Sequence, residues 1–240
     1  MTAIVRPEGR VLDAARHAPS VAIETLAPGD VLVLAPHADD ETLGCGEAIV
    51  AARRAGRRVA VLLVTDGAAS HPASRTHPPE RLRGLRSSEF AAALRCLDGD
   101  LAFTELGFPD GGSDGSREER HRLVRAMTAP ARRFHPAVIW TTWERDPHCD
   151  HVATARAART LGVVLGVPVL SYVVWGRFGP HEPDGALHRF RDEGANNRKR
   201  RAAECYRSQL TPLITDDPDG FMMPPTLTEH FLSTPELFLL

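Results

Sequence analysis

The sequence predicts an α/β fold in which a mostly parallel sheet carries helices on both faces. Three observations predict it. Continuous apolar runs recur along the chain, helix-length segments with apolar positions at helical spacing separate them, and the two kinds alternate from about residue 31 to residue 174. Strands buried on both faces read as unbroken apolar runs, and strand–helix alternation is the mark of parallel crossovers.

Residues 1–28 read as an irregular lead-in with a short helix around Val11–Arg16. Val31-Leu32-Val33-Leu34-Ala35 is the first buried strand. A helix follows from Asp40 to Arg54 and stops at Gly56, where a left-handed residue can end it. Val59 to Val64 is the second strand. Pro79–Leu97 fits a helix with Leu82, Leu85, Phe90, Ala93 and Leu94 facing inward, and Ala102–Glu105 a short third strand. Ser116–Phe134 reads as a helix, Ala137–Thr141 as a strand, Asp150–Leu161 as a helix and Val167–Val174 as a strand. From Thr211 the chain becomes proline-rich. It reads as an irregular C-terminal wrap, because Phe221, Met222, Met223, Phe231, Leu232, Leu237 and Phe238 need burial. The 240 residues are expected to form one domain.

Composition narrows the function. A net charge of −2 and an aromatic share of 6% argue against a nucleic-acid partner. No apolar run approaches the roughly 18 residues of a membrane span. Met1 to Pro19 carries charges and no continuous apolar stretch, so no signal peptide is expected. Cys45, Cys96, Cys149 and Cys205 form no Cys-x-x-Cys pair. The expected location is cytoplasmic, and the oligomeric state is not legible.

Two polar clusters carry chemistry, and each follows a strand. Parallel sheets bind ligands beyond the carboxyl ends of their strands, so clusters far apart in sequence can meet there. In Pro36-His37-Ala38-Asp39-Asp40-Glu41, His37 and Asp40 are spaced to face one point beside a helix start, and an imidazole with a carboxylate suits zinc or another divalent metal. Asp39, between them, is placed to take a proton from water. Alone, the cluster reads better as a helix N-cap with extra acids. His148-Cys149-Asp150-His151 changes the balance. One of its histidines can complete a His/Asp/His set with open positions; the other can stabilise an oxyanion or protonate a leaving group.

These motifs resemble the PIG-L/LmbE-like zinc deacetylases. Pro36 to Gly46 is similar to that family's (A/P)-H-x-D-D-E signature, Thr65-Asp66-Gly67 to its T-D/N-G turn, and Glu105 to Gly111 to its L-G-x-P-D-G segment. Pro147 to His151 is similar to its H-x-D-H motif, and Arg198 to Gln209 to its late K-x-x-A…S-Q helix. The resemblance runs from about residue 31 to 209, with Ala38 and Cys149 standing where many relatives have proline. It implies a Rossmann-like fold and removal of an N-acetyl group, usually from an N-acetylglucosamine unit. It implies one zinc ion per chain on His37, Asp40 and His151. Asp39 matches the general base, His148 the oxyanion-stabilising histidine, and Asp150 the acid that orients it. Arg86 and Asp110 resemble positions that contact the sugar. The expected partner is a small N-acetylated sugar or glycoconjugate.

Other features carry less. Arg53-Arg54 with Arg57-Arg58, and the run Arg198 to Arg201, read as solvated helix faces. Asp66 suits a turn before Gly67 or support of His37. His71, His77 and His121 read as surface residues. A zinc amidase acting on a non-acetyl or thiol-conjugate amide, and a sugar- or nucleotide-binding module without turnover, are the competing functions. No Gly-x-Ser-x-Gly motif supports a serine hydrolase.

Overall fold

Residues 8–240 are described by a computed structural model. In chain order the first elements are α1 (Arg10–Ala15), α2 (Ile23–Leu26), β1 (Val31–Ala35), α3 (Asp40–Arg54), β2 (Val59–Thr65), α4 (Pro79–Leu97) and β3 (Ala102–Phe108). Next come α5 (Arg117–Phe134), β4 (Val138–Thr142), α6 (Cys149–Leu165) and β5 (Val169–Tyr172). A 3-10 turn (Trp175–Phe178), β6 (Leu187–Phe190), α7 (Glu193–Ala203), α8 (Arg207–Leu210), α9 (Pro225–Ser233) and β7 (Glu236–Leu239) complete the chain.

The apolar runs are continuous because each strand is covered twice. Val31, Val33 and Ala35 of β1 face one hydrophobic cluster, together with Val59, Val61 and Leu63 of β2. Leu32 and Leu34, with Ala60, Leu62 and Val64, face the other. With side chains alternating at period two, a strand so covered has no position left for a polar residue. The first face packs on Ile49 of α3, Phe90 and Leu94 of α4 and Ala202 of α7. The second packs on Leu123 and Met127 of α5 and on Ala157 and Leu161 of α6. Fully burying each Leu or Val contributes roughly 1.5–3 kcal/mol.

The sheet order is β3-β2-β1-β4-β5-β7-β6. β1 to β5 are mutually parallel, and β7 runs antiparallel to both β5 and β6. The chain leaves β1 first toward β2 and β3, then returns to lay β4 on its other side. The carboxyl ends of β1 and β4 therefore flank the point where strand order reverses, which is where such sheets hold ligands. His37 lies two residues beyond β1 and His148 six beyond β4.

The tail is more regular than its prolines suggest. Instead of an irregular wrap it supplies α9 and a sheet strand, β7, whose four residues are all buried. Met223, Phe231, Leu237 and Phe238 enter the core as expected, whereas Phe221 and Met222 stay exposed. The lead-in docks through Val11, which is fully buried.

Lys199 corrects another expectation: it is fully buried rather than on a solvated face. It repairs a break in α3, whose backbone leaves helical geometry at Cys45 (φ −147°, ψ 23°). In an unbroken helix the Glu47 N–H would bond the Leu43 carbonyl. Here Lys199 Nζ donates to Leu43 O at 3.0 Å, and the Glu47 and Ala48 N–H groups donate to the Glu236 carboxylate at 2.7 and 2.9 Å. Lys199 and Glu236 pair with each other at 2.8 Å. Gly44 sits at the break because a Cβ there would come within 2.4 Å of the Tyr172 ring.

Candidate metal centre and active site

The turn after β1 is held from beneath. Pro36 O accepts from Thr65 N at 3.0 Å and from Thr65 Oγ1 at 2.8 Å, and His37 N donates to Asp40 Oδ2 at 2.9 Å. Asp39, between His37 and Asp40, has φ 131°, a conformation that a residue with a Cβ adopts only at a cost of about 1–3 kcal/mol. After β4, His148 caps α6, its Nδ1 accepting from Asp150 N at 3.3 Å. One helical turn on, Thr142 Oγ1 donates to His151 O at 3.0 Å and fixes the strand against the helix.

These two segments bring together side chains 114 residues apart. His37 Nδ1 lies 3.2 Å from His151 Nε2 and 3.3 Å from Asp40 Oδ2, and His151 Nε2 lies 3.1 Å from Asp40 Oδ2. The three donors form a nearly equilateral triangle. Ligands at the roughly 2.0–2.1 Å bond lengths of tetrahedral zinc stand about 3.3 Å apart, so the triangle has the right size for three of four positions. Two nitrogens and one oxygen are also a suitable donor set.

The far sides of both imidazoles support the same reading. His37 Nε2 lies 3.0 Å from Asp150 Oδ2 and 3.2 Å from Asp110 Oδ1. His151 Nδ1 lies 3.3 Å from Asp146 Oδ1, an ion-pair contact that is not aligned as a hydrogen bond. A carboxylate on the outer nitrogen keeps the proton there and leaves the inner nitrogen as a lone-pair donor. Asp150 is itself fixed, accepting from Gly111 N at 2.8 Å and Ser113 N at 3.2 Å.

Burial resists charge on His37 and His151, but the carboxylates outweigh it. They raise His37 well above its ordinary value and His151 to about 9. For Asp40, burial is overcome by His151 and His37, which hold the carboxyl well below the usual range. Asp39 goes the other way, pushed up to about 8 by burial and by the charge of Asp40. His148, whose ring centroid is 4.5 Å from that of His37, is lowered by burial and by the charges of His37 and His151. With Nδ1 accepting from the backbone, its neutral ring carries the proton on Nε2.

His37, Asp39, Asp40, Arg86, Asp110 and His148 open onto one cavity of about 1010 Å³. Arg86 is 4% exposed and donates to Gly67 O and Ala38 O.

The PIG-L family model, described as GlcNAc-PI de-N-acetylase, matches residues 32–161, more than half of the chain. This chain is a member of the PIG-L family. No curated protein matches it. Solved structures do. The A40926 pseudoaglycone deacetylase is 26% identical with a TM-score of 0.64, covering 88% of this chain and 96% of its own. A conserved protein from Thermus thermophilus, TT1542, is also 26% identical, with a TM-score of 0.62 and coverage of 88% and 94%. The zinc-inhibited form of a teicoplanin deacetylase, 22% identical with a TM-score of 0.64, shares the fold over 88% of this chain and 97% of its own. Membership of this de-N-acetylase family makes the chain an N-deacetylase.

Within this PIG-L site, sequence reading and geometry part company at several residues. Asp150 lies against His37, with its Oδ2 3.9 Å from His148 Nδ1. Asp110, expected to face a sugar, also supports His37, 3.2 Å from Nε2. Asp66 forms the turn instead, accepting from Ala68 N at 3.0 Å and pairing with Arg83 at 2.7 Å. His71, expected at the surface, is 4% exposed. Glu41 is buried and bonded to Tyr206. Asp146 escaped sequence reading; its only signal was an acid two residues before His148. Trp175 and Phe178, which line the cavity, also escaped it.

Proposed function

We propose that this protein hydrolyses the acetamide of an N-acetylglucosamine-type sugar or its conjugate. The observation that carries this reading is the His37–Asp40–His151 donor triangle with the Asp39 carboxyl lining the same cavity as His37 and Asp40.

His37, Asp40 and His151 would hold the zinc ion, which when bound acts as a Lewis acid and lowers the pKa of water toward about 7. Asp39 removes the proton from the attacking water. Its strained backbone fixes the carboxylate at the head of α3, where little reorganisation is needed. The Nε2–H of His148 donates to the oxygen that becomes negative as the carbonyl turns tetrahedral. Asp39 then returns its proton to the departing amine, and acetate and the free amino sugar leave. Asp150 and Asp146 position the ligand histidines, and Arg86 and Asp110 meet the sugar at the cavity floor. Among the described residues no helix is long and apolar enough to cross a membrane.

The test is release of the free amine by zinc-loaded protein across N-acetyl, N-propionyl and thiol-conjugate amides of glucosamine. The reading expects release from the N-acetyl sugars to dominate. Faster turnover of a non-acetyl or thiol-conjugate amide replaces it with the amidase alternative, and no turnover of any replaces it with a binding module.

A further inference from the structure

The cavity is built in two halves. The floor is polar, but Pro72, Trp175, Phe178, Phe221 and Leu227 make one wall apolar. Its volume of about 1010 Å³ stands at the top of the roughly 300–1,000 Å³ range of pockets that enclose drug-sized ligands, more than one sugar ring fills. Trp175 is the hub of the wall, meeting Phe221 edge-to-face at 5.9 Å and 88° and the buried Phe231 at 6.3 Å and 83°.

The wall is held in place. Phe221 is 38% exposed, unusual for a phenylalanine, yet its N–H donates to Ser70 O at 2.7 Å. Beside it a Cβ on Gly220 would fall 2.3 Å from the His71 ring, so glycine lets the two segments meet. Asp217 accepts from Ala73 N at 2.8 Å, and Asp216 accepts from Arg75 N and Thr76 N at 2.8 and 2.9 Å. On the other side, Gly176 N donates to Asp146 Oδ2 at 3.0 Å and ties the turn carrying Trp175 to the metal centre. Exposed aromatic surface held this firmly is prepared for a ligand.

Charge narrows what that ligand is. Apart from histidines, Arg86 is the one cationic side chain lining the cavity among the described residues. It is engaged by two carbonyls and lies 3.7 Å from Asp110. Glu8 and Asp219 add negative charge to the lining. A phosphodiester placed against this wall would meet carboxylates and aromatic rings, and among the described residues no free cation to pair it.

We propose that Trp175, Phe178, Phe221 and Leu227 form a subsite for an uncharged, apolar aglycone, so that the preferred substrate is an N-acetylglucosaminide carrying such a group. The proposal rests on the deacetylase reading and specifies its substrate. The experiment compares methyl, phenyl and phosphodiester-linked N-acetylglucosaminides as substrates of the zinc-loaded protein. In parallel, calorimetry measures binding of methyl and phenyl glucosaminides, which needs no turnover. The wild type should favour phenyl over methyl on the order of 10–100-fold in kcat/KM and in affinity, the yield of burying one aromatic ring. Phe221→Ala, at an exposed position that the fold tolerates, should bring the phenyl-to-methyl ratio down about three- to tenfold, and Trp175→Ala further. Equal handling of phenyl and methyl, or preference for the phosphodiester, overturns the subsite. Should no acetate appear, a calorimetric phenyl preference that Phe221→Ala weakens upholds the subsite while the deacetylase reading falls. Absence of that preference overturns the subsite.

Discussion

Asp146 and His151 form a contact in which both side chains are fully buried, with Oδ1 3.3 Å from Nδ1. The other oxygen of Asp146 accepts from Gly176 N at 3.0 Å. One carboxylate therefore stands behind a candidate ligand histidine and anchors the turn that bears the aromatic wall. Asp146→Ala should weaken zinc binding about 10–100-fold, the usual effect of removing a carboxylate behind a ligand histidine. Competition with a metal chelator measures it, and unchanged affinity would show that Asp146 does not act through His151.

The triangle and the residues around it should separate by metal content. His37→Ala should lose zinc and activity together. His148→Ala should keep zinc and lower kcat about 10²–10³-fold, as loss of an oxyanion donor commonly does. Elemental analysis beside acetate assay reads both. Zinc loss in His148→Ala would make it a ligand instead, as its position near His37 and His151 permits.

The buried pair across the break in α3 predicts a stability effect. Glu236→Gln leaves Lys199 charged in a site with no exposure, which costs about 3–5 kcal/mol. Adding Lys199→Met removes the stranded charge and should recover part of the loss, since the substituted amide retains an acceptor oxygen for the N–H of Glu47 or Ala48. Urea unfolding measures both variants. Equal stability of Glu236→Gln and wild type would mean that the pair does not hold the helix.

Asp216 predicts a pH dependence. Hydrogen bonds from the Thr76 backbone, the Ser74 hydroxyl, the Thr76 hydroxyl and the Arg75 backbone hold its carboxyl below the usual range. A lowered folded pKa means that this stabilisation is complete above the ordinary value near 3.8 and fades as pH falls through the folded one. Exchange protection of the Arg75 and Thr76 amides, corrected for intrinsic rates, should hold from neutrality to about pH 5 and weaken below about pH 4. Asp216→Asn should lower it already at neutral pH. Protection indifferent to both changes would remove the frame proposed for the aromatic wall.

The strands β1 to β5 and both metal motifs were legible because each is a local pattern: an apolar run, then ligand residues at fixed spacing. What the sequence hid is set by distant contact. β7 is only four residues, follows a proline, and includes Glu236, whose buried carboxylate serves a helix 188 residues away. Lys199 sits in a run of basic residues that reads as solvated, and only packing reveals that it alone is inside. Asp150 was assigned to its neighbour His148, yet across the fold it meets His37, 113 residues away in sequence. The aromatic wall draws on a turn after β5 and on the proline-rich tail, segments with no periodicity to betray a shared surface.

The most direct test compares acetate release from an N-acetylglucosaminide by zinc-loaded wild type and Asp39→Ala at matched metal content. The account predicts about one zinc per chain in both, acetate in amounts matching the free amine from the wild type, and turnover lost in the variant. Equal release by the two proteins would contradict the role assigned to Asp39 and the reaction built on it.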